Sequence, residues 1–120
     1  MRKFYVLLFS AMVFILNAVE ADSLKVAPKV TFVELGSTNC IPCRQMQPVM
    51  KAVEEEFPVQ VEVKFIDVWT HKGKIESEKY KVRVIPTQVF LDSLGKEYFR
   101  HEGFFPKDDL VKILKQGGVK

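Results

Sequence analysis

The chain has 120 residues, 48% hydrophobic and 28% charged, with 18 Lys and Arg against 15 Asp and Glu for a net charge of +3. This length and apolar content suit one small domain with one core. Basic and acidic residues interleave, as in KGKIESEKYK over 72–81, which marks a solvated face and argues against nucleic-acid binding.

The N-terminus opens with Arg2 and Lys3, continues through the apolar run Phe4 to Leu16, and ends in Asn17-Ala18-Val19-Glu20-Ala21. A basic start, a short apolar stretch and small residues at the end form the pattern of a secretory signal. Residues 1–21 are therefore expected to be a signal peptide and residues 22–120 the mature domain. The protein is then exported, periplasmic or otherwise extracytoplasmic. Left uncleaved, residues 4–19 would serve as an anchor, although the apolar run is shorter than the roughly 20 residues of a spanning helix.

Val30 to Leu35 (VTFVEL) is apolar on nearly every position, as in a strand buried on both faces. From Cys40 to Glu56 the period becomes helical. Met46, Val49, Met50, Val53 and Phe57 share one face, and Arg44, Gln45, Gln47, Lys51 and Glu55 lie opposite. Pro58 stops this helix. Val59, Val61, Val63 and Phe65 alternate as a half-buried strand, and residues 74–81 read as a short polar helix. Thr87 to Leu91 is a further strand, Asp92-Ser93-Leu94-Gly95 a turn, and Lys96 to Glu102 the returning arm of a hairpin. Pro106, Asp108 and Asp109 open a last helix that Gly117-Gly118 close. The order β-α-β-α-β-β-α predicts an α/β fold: a mixed sheet with helices on both faces, its first two strands parallel through a right-handed crossover.

The only two cysteines, Cys40 and Cys43, lie in STNCIPCRQMQP. A zinc site needs about four ligands, and only His71 and His101, on separate segments, are left to complete one. A structural staple is weak as well, because disulfide stabilisation grows with the loop closed and this loop is very small. A redox pair fits better. Cys40 stands where the chain enters the helix, with Thr38 and Asn39 as candidate caps. Free N–H groups and the helix dipole favour a thiolate there, which selects Cys40 as nucleophile. Cys43, one turn later, points inward and resolves the mixed disulfide. Pro42 occupies an early helical position where its missing N–H costs little.

Cys40-Ile41-Pro42-Cys43 followed by Arg44 and Pro48, together with Ile85-Pro86-Thr87 and Gly103, resembles the thioredoxin family over about residues 30–117. The resemblance implies a thioredoxin-like three-layer sandwich, a redox-active disulfide in place of any separate cofactor, and a cis proline at Pro86 facing that disulfide. It also implies that Ile41, Pro42, Ile85, Pro86 and Thr87 dock substrate. Glu34 shares a strand face with Val30 and Phe32 and stands six residues before Cys40, where the family carries a buried acid. Burial would raise its pKa toward neutrality and suit it to move protons on and off Cys43.

Three features depart from the family pattern. Asn39 precedes the first cysteine in place of the usual tryptophan, and the single tryptophan, Trp69, lies beyond the second strand. Ile41 replaces the glycine of cytoplasmic thioredoxins. Asp22 to Lys29 is too short for a first strand and helix, so the domain starts at its central strand.

The expected activity is that of a thiol–disulfide oxidoreductase, a reductase of disulfides in exported proteins or apocytochromes c, monomeric and supplied by a membrane-embedded electron donor. The alternatives are a disulfide oxidase or isomerase, for which position 42 would suit histidine better than proline, and a metal-carrying or partner-docking module without turnover.

Overall fold

The computed structural model describes residues 26–120. Its elements are β1 (Val30–Gly36), α1 (Ile41–Glu56), β2 (Val61–Asp67), α2 (His71–Ser77) with a 3-10 turn over Glu78–Tyr80, β3 (Thr87–Leu91), β4 (Glu97–Glu102) and α3 (Lys107–Gln116). The sheet order is β2-β1-β3-β4. β1 pairs parallel with β2 and antiparallel with β3, and β3 pairs antiparallel with β4. This is the β-α-β-α-β-β-α mixed sheet of a thioredoxin-like sandwich, with β1 in the interior of the sheet.

Strand alternation divides the interior into two cores. Val30 and Phe32 on β1 and Phe90 on β3 face α1 and α3, meeting Met46, Val49, Met50 and Val53 from α1 and Leu110, Ile113 and Leu114 from α3. Val33, Leu35, Ile66 and Val89 face the other way and form a smaller core under Tyr80 and Val82. Phe90 is the centre of the larger one. Its ring stacks on Phe32 at 5.2 Å and meets Tyr98, Phe99 and Phe105 at 5.9 to 6.3 Å. All five residues named for the inner face of α1's segment are buried, Phe57 as its C-cap.

The polar helix expected over 74–81 begins three residues earlier, at His71. Thr70 caps it by accepting the Gly73 N–H at 3.0 Å, a Thr N-cap followed by a polar turn that carries little apolar periodicity. The caps expected for α1 are also corrected. Cys40 itself is the N-cap, its Sγ accepting the Cys43 N–H at 3.3 Å, in place of Thr38 or Asn39.

The signal-peptide reading of residues 1–21 and the anchor reading of residues 4–19 lie outside the described residues. Of the expected location, the membrane-anchored form is corrected here. No helix among the described residues is long and apolar enough to cross a membrane. The 16-residue α1 carries a polar face along its length, where a span needs roughly 20 predominantly apolar residues.

Truncating the central ring should show how far the fold depends on it. Phe90→Ala is expected to lower unfolding stability by about 3–5 kcal/mol, read as a lower urea midpoint with the slope unchanged.

Candidate active site

The site forms where β1 runs out and α1 begins. Gly36 ends the strand, and residues 37–39 turn the chain so that Cys40 becomes the helix cap, with a disulfide closed to Cys43. The two sulfurs have unlike surroundings. Cys40 is partly open, and its flanking residues Asn39, Ile41 and Pro42 are exposed, Ile41 at 64%. Cys43 is fully buried. When the disulfide opens, the N–H that already points at Cys40 Sγ and the positive end of the helix dipole favour a thiolate at Cys40. Cys43 has no comparable route to water.

Gly36 is what lets Cys43 sit so low. A side chain there would place its Cβ 3.2 Å from Cys43 Sγ and 3.3 Å from Cys43 Cβ, so the cysteine rests against bare backbone. Glu34 lies two residues back on the same face, about 7 Å along the strand by its ordinary rise. Its carboxyl is fully buried. One oxygen, Oε1, accepts a hydrogen bond of 3.1 Å from Gln88 Nε2. The other, Oε2, is the buried side-chain polar atom without a hydrogen-bond partner among the described residues. Burial raises the Glu34 pKa from 4.5 to about 8, against the opposing effect of the Gln88 hydrogen bond. The group is thus poised to hold or release a proton near neutral pH. Lys64 does not reach it. It stands opposite Val33 in the strand register and is ion-paired with Glu76 on α2.

Across the sheet, the Ile85–Pro86 peptide bond is cis. Thr87 Oγ1 donates to the Val84 carbonyl at 2.7 Å, and the Gly103 N–H, from a residue with φ of 89°, donates to the Pro86 carbonyl at 2.8 Å. Pro86 and Thr87 are buried and Ile85 is partly open. Val68, Trp69, Val82, Val84 and Ile85 line a shallow groove here, with Trp69 61% exposed. Among the described residues no three His, Cys, Asp or Glu side chains gather as metal ligands.

Sequence reasoning placed Glu34, Cys40 and Cys43 at the end of β1 and the start of α1, where they stand. It missed Gln88 and His101. Gln88 is fully buried on β3, and its Oε1 lies 2.8 Å from His101 Nδ1 on β4. A glutamine on the inward parity of the strand Thr87–Leu91, two positions before the buried Phe90, was the available signal.

A dithiol at a helix entrance, one sulfur open and one buried, above a neutral-prone carboxyl, defines a thiol–disulfide oxidoreductase whose redox group is the Cys40–Cys43 disulfide itself. The comparisons agree. Residues 18–118 match the family model of the thioredoxin-like domain, and the chain belongs to that family. It is 30% identical over 101 residues to a thioredoxin of Mycoplasmoides gallisepticum, covering 84% of this chain and 97% of that one. A Chlamydia trachomatis thioredoxin is 30% identical over 96 residues, covering 80% and 88%. The thioredoxin of Fasciola hepatica superposes with a TM-score of 0.65 at 28% identity, covering 78% of this chain and 84% of that one.

The Glu34 shift has a consequence for stability. An unfolded chain releases this proton near the ordinary value of 4.5, whereas the folded oxidised protein keeps it to about 8. Between those values the folded state binds the extra proton, so stability falls as pH rises through this window and levels off above it. The loss is on the order of 4–5 kcal/mol at most. Glu34→Gln should flatten that part of the pH–stability curve, measured by urea unfolding at a series of pH values.

Proposed function

We propose that this protein is a reductase of disulfides in other polypeptides. In this reading Cys40, as thiolate, attacks one sulfur of the substrate disulfide and releases the other as a thiolate. Cys43 then gives its proton to the Glu34 carboxylate and attacks Cys40. The enzyme disulfide closes, the second substrate thiolate leaves, and solvent protonates it. The electron pair passes from the dithiol to the substrate, and a partner dithiol restores the enzyme by the reverse exchange. Ile41 and Pro42 present an apolar rim beside Cys40, while Ile85, Pro86 and Thr87 offer the backbone edge on which an extended substrate segment docks. Misoxidised proteins and the cysteine pairs of apocytochromes c belong to this substrate class.

The observation that carries the reading is the unequal exposure of the two sulfurs. Only Cys40 is accessible to a macromolecular disulfide, and Cys43 is buried against Gly36, two residues along the face from Glu34. The similarity to thioredoxins supports the reducing direction.

Two cysteine variants test it. Cys40→Ser is expected to abolish reduction of a protein disulfide such as that of insulin. Cys43→Ser should attack normally but stall, accumulating a mixed disulfide through Cys40 that mass spectrometry detects. Trapping through Cys43 in the Cys40→Ser protein, or turnover without Cys40, would contradict the assignment of roles.

A further inference from the structure

Glu34, Gln88 and His101 form a row across three strands. In the β-ladder Glu34 is the direct partner of Gln88, and Gln88 is the direct partner of His101. The three side chains share the sheet face that packs under α1 and α3, and they are linked by hydrogen bonds of 3.1 and 2.8 Å. Exposure rises along the row. Glu34 and Gln88 are fully buried, and His101 is half-buried. The imidazole is stacked on Phe105, with ring centroids 4.1 Å apart and planes 14° from parallel. Phe105 is held in turn by its N–H to Met46 sulfur at 3.3 Å. The ring therefore has a fixed orientation.

Among the described residues no other charged side chain is hydrogen-bonded to the row. α1 contributes the buried Met46 to this face and seats Cys43 on Gly36, two residues from Glu34, and from β2 the residue opposite Glu34 is Phe65. Charged side chains of the strands and of α3 pair with one another or with neighbouring helices: Lys64 with Glu76, Arg83 with Glu102, Arg100 with Glu97, Lys107 with Glu56 and Lys112 with Asp109. Asp108 is exposed at the start of α3.

We propose that His101, acting through the Gln88 amide, is a positioning residue for proton transfer at this site: it holds Gln88 in the orientation that supports a Glu34 carboxylate, and it exchanges tautomer when Glu34 takes up a proton. The proposal rests on the reading that Glu34 receives the Cys43 proton. Its basis is the one-to-one matching of donors and acceptors along the row. In the arrangement seen, Gln88 Nε2–H donates to Glu34, so Gln88 Oε1 must accept, and His101 donates from Nδ1. A carboxylate needs that donor. A protonated Glu34 needs an acceptor, which Gln88 supplies by turning its amide over. Gln88 Nε2–H then points at His101 Nδ1, which must carry a lone pair, and the imidazole proton moves to Nε2. The proton gained by Glu34 comes from Cys43. On the imidazole one proton leaves Nδ1 for solvent and one is taken up at Nε2, so nothing crosses the amide and the charges balance. Linked hydrogen bonds of this kind polarise one another, so the His101 bond strengthens the support that Gln88 gives the carboxylate.

The test follows the Glu34 side-chain carboxyl and the His101 ring nitrogens by NMR in the oxidised full chain, across the range around pH 8 in which Glu34 titrates. The expected result is one shared midpoint: Nδ1–H above it and Nε2–H just below it. His101→Phe, which keeps the stack on Phe105, should leave about threefold fewer Glu34 carboxylates at a given pH, the scale of one weakened hydrogen bond. It should also move the pH profile of mixed-disulfide resolution upward. Gln88→Leu should remove the tautomer change while the imidazole remains. A His101 tautomer that ignores Glu34, or a Glu34 midpoint unchanged in His101→Phe, overturns the proposal. Glu34→Gln separates the two possible failures. If it leaves the pH profile of resolution unchanged, the role of Glu34 itself falls. If it changes that profile and His101→Phe does not, only the role of His101 falls.

Discussion

The close seating of Cys43 on the backbone of Gly36 is the contact on which the site depends. It brings the N-terminus of α1 down onto the end of the middle strand. It closes the second sulfur off from solvent and sets it one alternation from Glu34. A side chain at position 36 would have to displace the sulfur by a few tenths of an ångström or lift the helix. In a packed interior such shifts are resisted by everything behind them, here Met46 and the aromatic cluster around Phe90. The bareness of one strand residue thus fixes the depth of the dithiol.

From that contact the difference between the sulfurs follows. Cys40 caps the helix and faces outward, where N–H groups and the dipole favour its thiolate. Cys43 lies where a thiolate is costly until a base takes its proton. The base has to be buried too, and a buried carboxyl holds its proton unless something supports the charge. The support here is an uncharged amide, Gln88, with an imidazole behind it. This arrangement differs from direct pairing with a lysine. It lets the acid titrate near neutrality without placing a fixed positive charge in the core.

Much of this was legible in the sequence. The strand VTFVEL, the helical stripe of α1, the hairpin around Gly95 and the closing helix were each announced by local periodicity and turn residues, and the CxPC and IPT segments tied them to one fold. Glu34 was visible as the single charged residue in an apolar strand. Residues 74–81 were read three positions late, because a polar two-turn helix has little apolar period and its start is set by the Thr70 cap alone. Gln88 and His101 were not legible as partners of Glu34. Their meeting depends on the pairing of β3 with both β1 and β4, and such register is a tertiary property. His101 was weighed only as a metal ligand. The use of Gly36 as a seat for Cys43 needs the path of the helix entrance, which no local pattern gives.

The most direct test of the central claim is the reduction potential of the Cys40–Cys43 pair, equilibrated against defined thiol buffers. A reductase of this kind is expected near the roughly −270 mV of thioredoxins. A value near about −120 mV, the range of strong oxidases, would contradict the reducing direction and assign the same fold and the same two sulfurs to disulfide formation.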